Sequence, residues 1–187
     1  RVCDIMANLT DYPENLIDRR YAPILPFEGG EEIKLIILGQ DPTVKNDKSR
    51  DKINVTLNLD KEFALKKYIE NICNGIGVDL KNVYATKVFK YFYSVPPART
   101  MSVLKNHLAP NIELLQDELN LYQNCPIITL GEPVLKLLKG DSQKVRIYWG
   151  YNGTEYSKTH WFEHSLFPFP HQPSIRKIFY KDNQKKY

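Results

Sequence analysis

Residues 34–39, Lys-Leu-Ile-Ile-Leu-Gly, form an unbroken apolar run closed by a glycine. A strand of this composition has no face to offer to water, and such strands belong to parallel sheets covered on both sides. That constrains the fold strongly, because each further parallel strand needs a crossover long enough to hold a helix. The sequence supplies both parts. Strand-like runs recur at 82–89 (Asn-Val-Tyr-Ala-Thr-Lys-Val-Phe) and 126–131 (Pro-Ile-Ile-Thr-Leu-Gly), with a fourth candidate at Ser165-Leu166-Phe167. Helical patterns lie between them at 60–74, 101–121 and 132–139, the last with Pro133 where a first helical turn tolerates it. Strands alternating with helices predict an α/β sandwich built from βαβ crossovers.

Two segments break this rhythm. Residues 43–52 form a polar, mixed-charge loop directly after the first strand. Tyr151-Asn152-Gly153-Thr154, flanked by alternating aromatic and polar residues, predicts a β-hairpin excursion over 144–161. There is no internal repeat and no linker, so the 187 residues read as a single domain spanning 1–187.

At 42% hydrophobic and 26% charged, the composition is that of a soluble globular chain, with no apolar run near the length of a membrane span. The chain opens on Arg1 without a charged-then-apolar leader, so a trimmed start is expected and a secretory peptide is not. Cys3, Cys73 and Cys125 are odd in number and widely spaced, which argues against a disulfide framework and for the reducing cytoplasm. His107, His160, His164 and His171 follow no ligand pattern, so neither a metal nor any other cofactor is expected. A membrane protein, a secreted disulfide scaffold and a coiled coil are excluded. The formal charge of +4 is concentrated at one end: residues 171–187 carry five basic side chains against Asp182, and the remainder is balanced. A basic segment of this kind is either a solvated tail or a contact for an anion such as a nucleic-acid backbone.

In open α/β sheets ligands bind beyond the carboxyl ends of the strands. The first strand ends in Gly39-Gln40-Asp41-Pro42, and the last candidate strand runs into Pro170-His171-Gln172-Pro173-Ser174. An acid and an imidazole, each stiffened by neighbouring prolines, therefore face one crevice. Taken singly, Asp before Pro commonly opens a turn, and a histidine late in a chain is commonly packing or surface. Their joint placement points to chemistry: a carboxylate that orients water and a histidine that hydrogen-bonds a leaving group.

At these segments the chain resembles the uracil-DNA glycosylase superfamily. Gly39-Gln40-Asp41-Pro42 matches the start of the water-activating motif of the classical enzymes, and His171-Gln172-Pro173-Ser174 resembles their His-Pro-Ser-Pro motif. Residues 83–90 with Pro96-Pro97-Ala98-Arg99-Thr100, and Ile128-Thr129-Leu130-Gly131, look more like the thermophilic, family-four-like branch. The resemblance runs over about residues 34 to 178 in the right order. It implies a three-layer α/β/α sandwich around a four-stranded parallel sheet, and a monomeric, cofactor-free enzyme that flips a base out of DNA and hydrolyses its N-glycosidic bond. Carried over residue by residue, Asp41 positions the water, Gln40 touches the base and His171 hydrogen-bonds the departing base. Pro42 and Ser174 lie at the DNA, Ile175 stands where these enzymes place an apolar wedge, and Arg176 and Lys177 meet the backbone.

The base-reading positions depart from that pattern. Thr43 stands where the classical motif has a Tyr that excludes thymine. Asn54, within Ile53-Asn54-Val55, falls where a stacking Phe is expected. Lys87 replaces the uracil-reading Asn of the thermophilic branch, and lysine donates without accepting. The four cluster-ligating cysteines of that branch are missing, so no iron–sulfur cluster is expected. Stacking could come instead from Tyr91 and Phe92, which follow the second strand run, interleaved with Lys90. The leading expectation is a DNA glycosylase acting on uracil or another damaged or modified base. The alternatives are a non-catalytic nucleic-acid-binding member of the same superfamily, and a nucleoside or nucleotide hydrolase using the same Asp/His crevice.

Overall fold

Leu35–Gly39 (β2) lies at the centre of the sheet, with every residue buried, as an all-apolar run requires. The computed structural model describes residues 1–9, 16–97, 101–140, 144–148, 159 and 161–171. Val83–Lys87 (β3) pairs with β2 on one side and Ile127–Leu130 (β4) on the other, and Leu166–Phe169 (β5) pairs with β4 beyond it. These four strands are all parallel, as the apolar runs predict. The sheet nevertheless has five strands, not four, in the order Phe27–Glu28 (β1), β3, β2, β4, β5. The extra strand, β1, comes from the Pro/Gly-rich lead-in and pairs antiparallel with β3. Two residues carry no periodicity, which is why the sequence does not reveal it. Pro168 sits inside β5, where an edge position tolerates a residue with no N–H to donate.

Alternation along the strands divides the core between two faces. Ile36, Leu38, Tyr84, Ile127 and Leu166 point to one face, under Met101–Asn106 (α4), Leu108–Leu119 (α5) and Glu132–Lys139 (α6). Leu35, Ile37, Val83, Ala85, Ile128 and Leu130 point to the other, where Ile69 and Cys73 of Ala64–Gly75 (α3) cover them. The result is the expected three-layer arrangement. The single helix expected over 101–121 is broken at His107. Pro110 in the first turn of α5 lacks the N–H that would bond back into α4, so a new helix starts instead. The polar loop over 43–52 contains one short helical turn, Asp47–Arg50 (α2). Val2–Asn8 forms the N-terminal α1, with Met6 in the first core face.

The hairpin expectation over 144–161 is not met where the chain is described: Val145–Tyr148 is a turn of 3-10 helix. The Tyr151-Asn152-Gly153-Thr154 turn itself lies outside the described residues. No helix among the described residues is long and apolar enough to cross a membrane.

Candidate active site

The carboxyl ends of β2, β3, β4 and β5 lie side by side, and the loops leaving them carry most of the residues singled out by the sequence. Backbone geometry at two glycines lets the groups approach. A Cβ on Gly39, the last residue of β2, would sit 3.2 Å from the Lys87 amine and 3.6 Å from Leu57. A Cβ on Gly131, just after β4, would lie 3.1 Å from the Cβ of His171, and Gly131 also has φ +91°. Both strand ends are thus bare so that side chains from β3 and from beyond β5 can cross them.

Asp41 is fixed by its own turn. One carboxylate oxygen accepts the Thr43 N–H at 2.8 Å and the other accepts the Gln40 side-chain amide at 2.7 Å. Burial pushes its pKa up, opposed by the charge on Lys87 and by those hydrogen bonds. Thr43 braces the turn further, its hydroxyl accepting the Tyr93 N–H at 2.8 Å. Thr43 therefore ties the loop after β2 to the loop after β3.

Lys87 ends β3 and pairs in register with Gly39. Its side chain is 8% exposed, and its amine donates to the Asp41 carbonyl at 2.6 Å. Burial pulls the amine down to about 8, although the charge on Asp41 opposes this. His171 is half-buried; burial first, and the charge on Lys87 second, pull its pKa to about 4. It is a neutral imidazole at physiological pH, able to donate from one nitrogen and accept at the other.

The structure brings Gln40, Asp41, Thr43, Lys87 and His171 to one end of the sheet. It does not make Tyr91 and Phe92 the platform that their position suggested. Tyr91 is fully buried, hydrogen-bonded to Asn111 at 3.0 Å and packed against Tyr93, and Phe92 is 1% exposed against Tyr21. Lys90, grouped with them, is buried too: it pairs with Glu118 at 3.1 Å and donates to the Lys87 carbonyl at 3.0 Å. Apolar content beats loop position here, because three adjacent aromatics after a buried strand find more area in the core than on the surface. Asn54 is exposed, its carbonyl accepting from Leu25 N–H, while Leu57 is the side chain that packs on Gly39. Leu57 and Asn58 both adopt left-handed φ, +60° and +52°, and Asn58 Oδ1 is buried without a hydrogen-bond partner among the described residues. Pro42 is buried in the turn. Ser174, Ile175, Arg176 and Lys177 lie outside the described residues.

One group that the sequence does not flag holds the site together. Arg50, 2% exposed, donates to the Val44 carbonyl at 2.8 Å, the Asp18 carboxylate at 2.8 Å and the Ser94 carbonyl at 3.1 Å. Asp18 also accepts from Arg20, through two hydrogen bonds from its guanidinium and one from its backbone N–H. In sequence, Arg50 stands in a run of charges that reads as solvated.

Comparison with known families gives one match: the model of the uracil DNA glycosylase superfamily matches residues 26–186. Comparison with curated proteins gives no match.

Proposed function

The chain belongs to the uracil DNA glycosylase superfamily, whose members usually hydrolyse N-glycosidic bonds in DNA, and on that footing we propose that it is a DNA glycosylase acting on a flipped uracil or another damaged or modified base. The observation that carries this reading is the placement of a rigidly held Asp41 and a neutral His171 at the same end of the sheet.

The chemistry follows from those two groups. The glycosidic nitrogen sits inside the base stack, so the nucleotide must first swing out, at a cost of a few kcal/mol that is least at a damaged or mismatched pair. Asp41 cannot rotate freely while Gln40 and Thr43 hold it, so its carboxylate presents a fixed acceptor for the attacking water. As the C1′–N bond lengthens, positive charge grows on the sugar, and the carboxylate offsets it in a low-dielectric setting. The water oxygen then bonds to C1′, and its proton passes to Asp41, whose raised pKa suits it to accept one. His171, uncharged, donates a hydrogen bond to the departing base without first losing a proton. Ser174, Ile175, Arg176 and Lys177 then meet the DNA as wedge and phosphate contacts, with the buried Pro42 stiffening the turn that carries Asp41 and the protein acting as a monomer.

Incubation of the protein with duplexes carrying uracil, hypoxanthine or mismatches, scored for abasic sites, tests the reading. Asp41→Asn should abolish base release while leaving DNA binding intact. Absence of abasic product from the wild type at high enzyme excess on every duplex would defeat it.

A further inference from the structure

The amine of Lys87 is a buried cation. Among the described residues no carboxylate lies within ion-pair distance of it; its hydrogen bond goes to a neutral carbonyl, that of Asp41, at 2.6 Å. An ammonium has three N–H groups and no acceptor, so two donors remain. The groups that face it from neighbouring elements are Asp41 beyond β2 and His171 beyond β5, both of which feel its charge. Behind it, Lys90 holds its backbone carbonyl and is itself paired with Glu118 of α5. A desolvated positive charge that the Asp41 carboxylate only partly offsets is costly unless more negative charge arrives beside it. In glycosidic hydrolysis negative charge does arrive, because the electron pair of the broken C1′–N bond leaves with the base.

Resting on the glycosylase reading above, we infer that Lys87 is a catalytic residue that holds the departing base as an anion, and that it restricts the substrate to bases presenting carbonyl oxygens toward β3. The balance is simple. The C1′–N pair passes to the base, its charge spreads onto carbonyl oxygens that accept from Lys87, and water supplies the hydroxyl at C1′ and a proton to Asp41. A base with an amino group at the same place would set N–H donors against N–H donors. Deamination turns an amino donor into a carbonyl acceptor, as in cytosine to uracil and adenine to hypoxanthine. Bases with a carbonyl at that edge are therefore the class that a donor-only amine accepts, deaminated bases of either ring size among them together with thymine and guanine, and amino-bearing cytosine and adenine are the ones it rejects.

The test is single-turnover base release by wild type, Lys87→Met and Lys87→Asn on duplexes carrying uracil, 5-fluorouracil or hypoxanthine, with cytosine and adenine in the same mispairs. Wild type should release the carbonyl-bearing bases and spare the amino-bearing ones, with a rate falling about tenfold per pH unit above about 8 as the amine loses its proton. Lys87→Met should lose about 100-fold on uracil, lack the alkaline fall, and lose much less on 5-fluorouracil, whose anion needs less help. Lys87→Asn should recover part of the uracil rate with no alkaline fall. A Lys87→Met loss equal for uracil and 5-fluorouracil, persistence of the alkaline fall in either variant, or release of the amino-bearing bases by wild type would overturn the inference while leaving the glycosylase reading standing. Should Lys87→Met fail to fold, the wild-type pH profile and the Lys87→Asn variant decide alone. No release by wild type from any duplex would remove both.

Discussion

Replacing Lys87 by Met should make the protein more stable at neutral pH, the opposite of the usual effect of altering a buried residue. The amine ordinarily titrates at 10.5 and is pulled to about 8 in the fold. A proton bound that much less tightly in the folded chain represents about 3 kcal/mol of destabilisation, at about 1.4 kcal/mol per pH unit. Against this, Met leaves the Asp41 carbonyl without its donor, which costs about 1 kcal/mol. The net expectation is a gain of about 2 kcal/mol at pH 7. The pH dependence is more telling than the size. Below about 8 the amine is charged in both folded and unfolded chains, so wild type bears the whole penalty. Between about 8 and 10.5 only the unfolded chain holds the proton, so wild-type stability climbs relative to the variant. Above that range the penalty is gone and wild type should lead by the value of the lost hydrogen bond. Urea unfolding of both proteins at pH 7 and at pH 10.5 measures this directly. A Met variant less stable than wild type at pH 7, or a difference that does not move with pH, would refute the reasoning.

Three further outcomes follow from the same geometry. Arg50→Met should destabilise the fold by about 3 kcal/mol in denaturant titration, because it leaves Asp18 buried with only the exposed Arg20 as partner; Arg50→Lys should not restore it, since one ammonium cannot span the Val44 carbonyl, Asp18 and the Ser94 carbonyl. The His171 imidazole, titrating at about 4, should leave base release flat on its account from neutral pH down to about 5, whereas a profile with an acid limb near 6.5 that disappears in His171→Gln would show an imidazole not held neutral by burial. Gly131→Ala should cost about 1–2 kcal/mol from its left-handed backbone and should lower the rate of base release by displacing His171, its new methyl lying 3.1 Å from the His171 Cβ; unchanged rate and stability would count against that close approach.

The strands were legible because their chemistry is local: an all-apolar run such as 34–39 has only a buried-sheet solution, and the observed strands begin and end within two residues of the runs at 34–39, 82–89 and 126–131. The placement of Gln40, Asp41 and His171 at one end of the sheet was legible because a motif and a strand end coincide. The rest needs information that pairwise distance in sequence does not carry. Tyr91 and Phe92 have the composition of a ligand platform and of a core equally, and only the packing of α5 on Tyr91 and of Tyr21 on Phe92 decides. Arg50 lies 32 residues from Asp18, so nothing in its own neighbourhood distinguishes a buried clamp from a solvated charge. Lys87 was read as a position that departs from a family pattern; its burial, and hence its meaning, comes from the bare backbone of Gly39 on the adjacent strand.

The order of the sheet also governs when function can begin during synthesis. Asp41 follows the second strand to be made and Lys87 the third, while His171 follows the last, which joins the sheet only by pairing with β4. A ribosome-bound chain can close β2 on β3 and seat the lysine over Gly39 long before the imidazole exists. Until then the chain holds Asp41 and Lys87 in place and lacks the imidazole. Parallel pairing across distant segments is also slow to form. On the glycosylase reading proposed above, the site is therefore complete only once the last strand is in place.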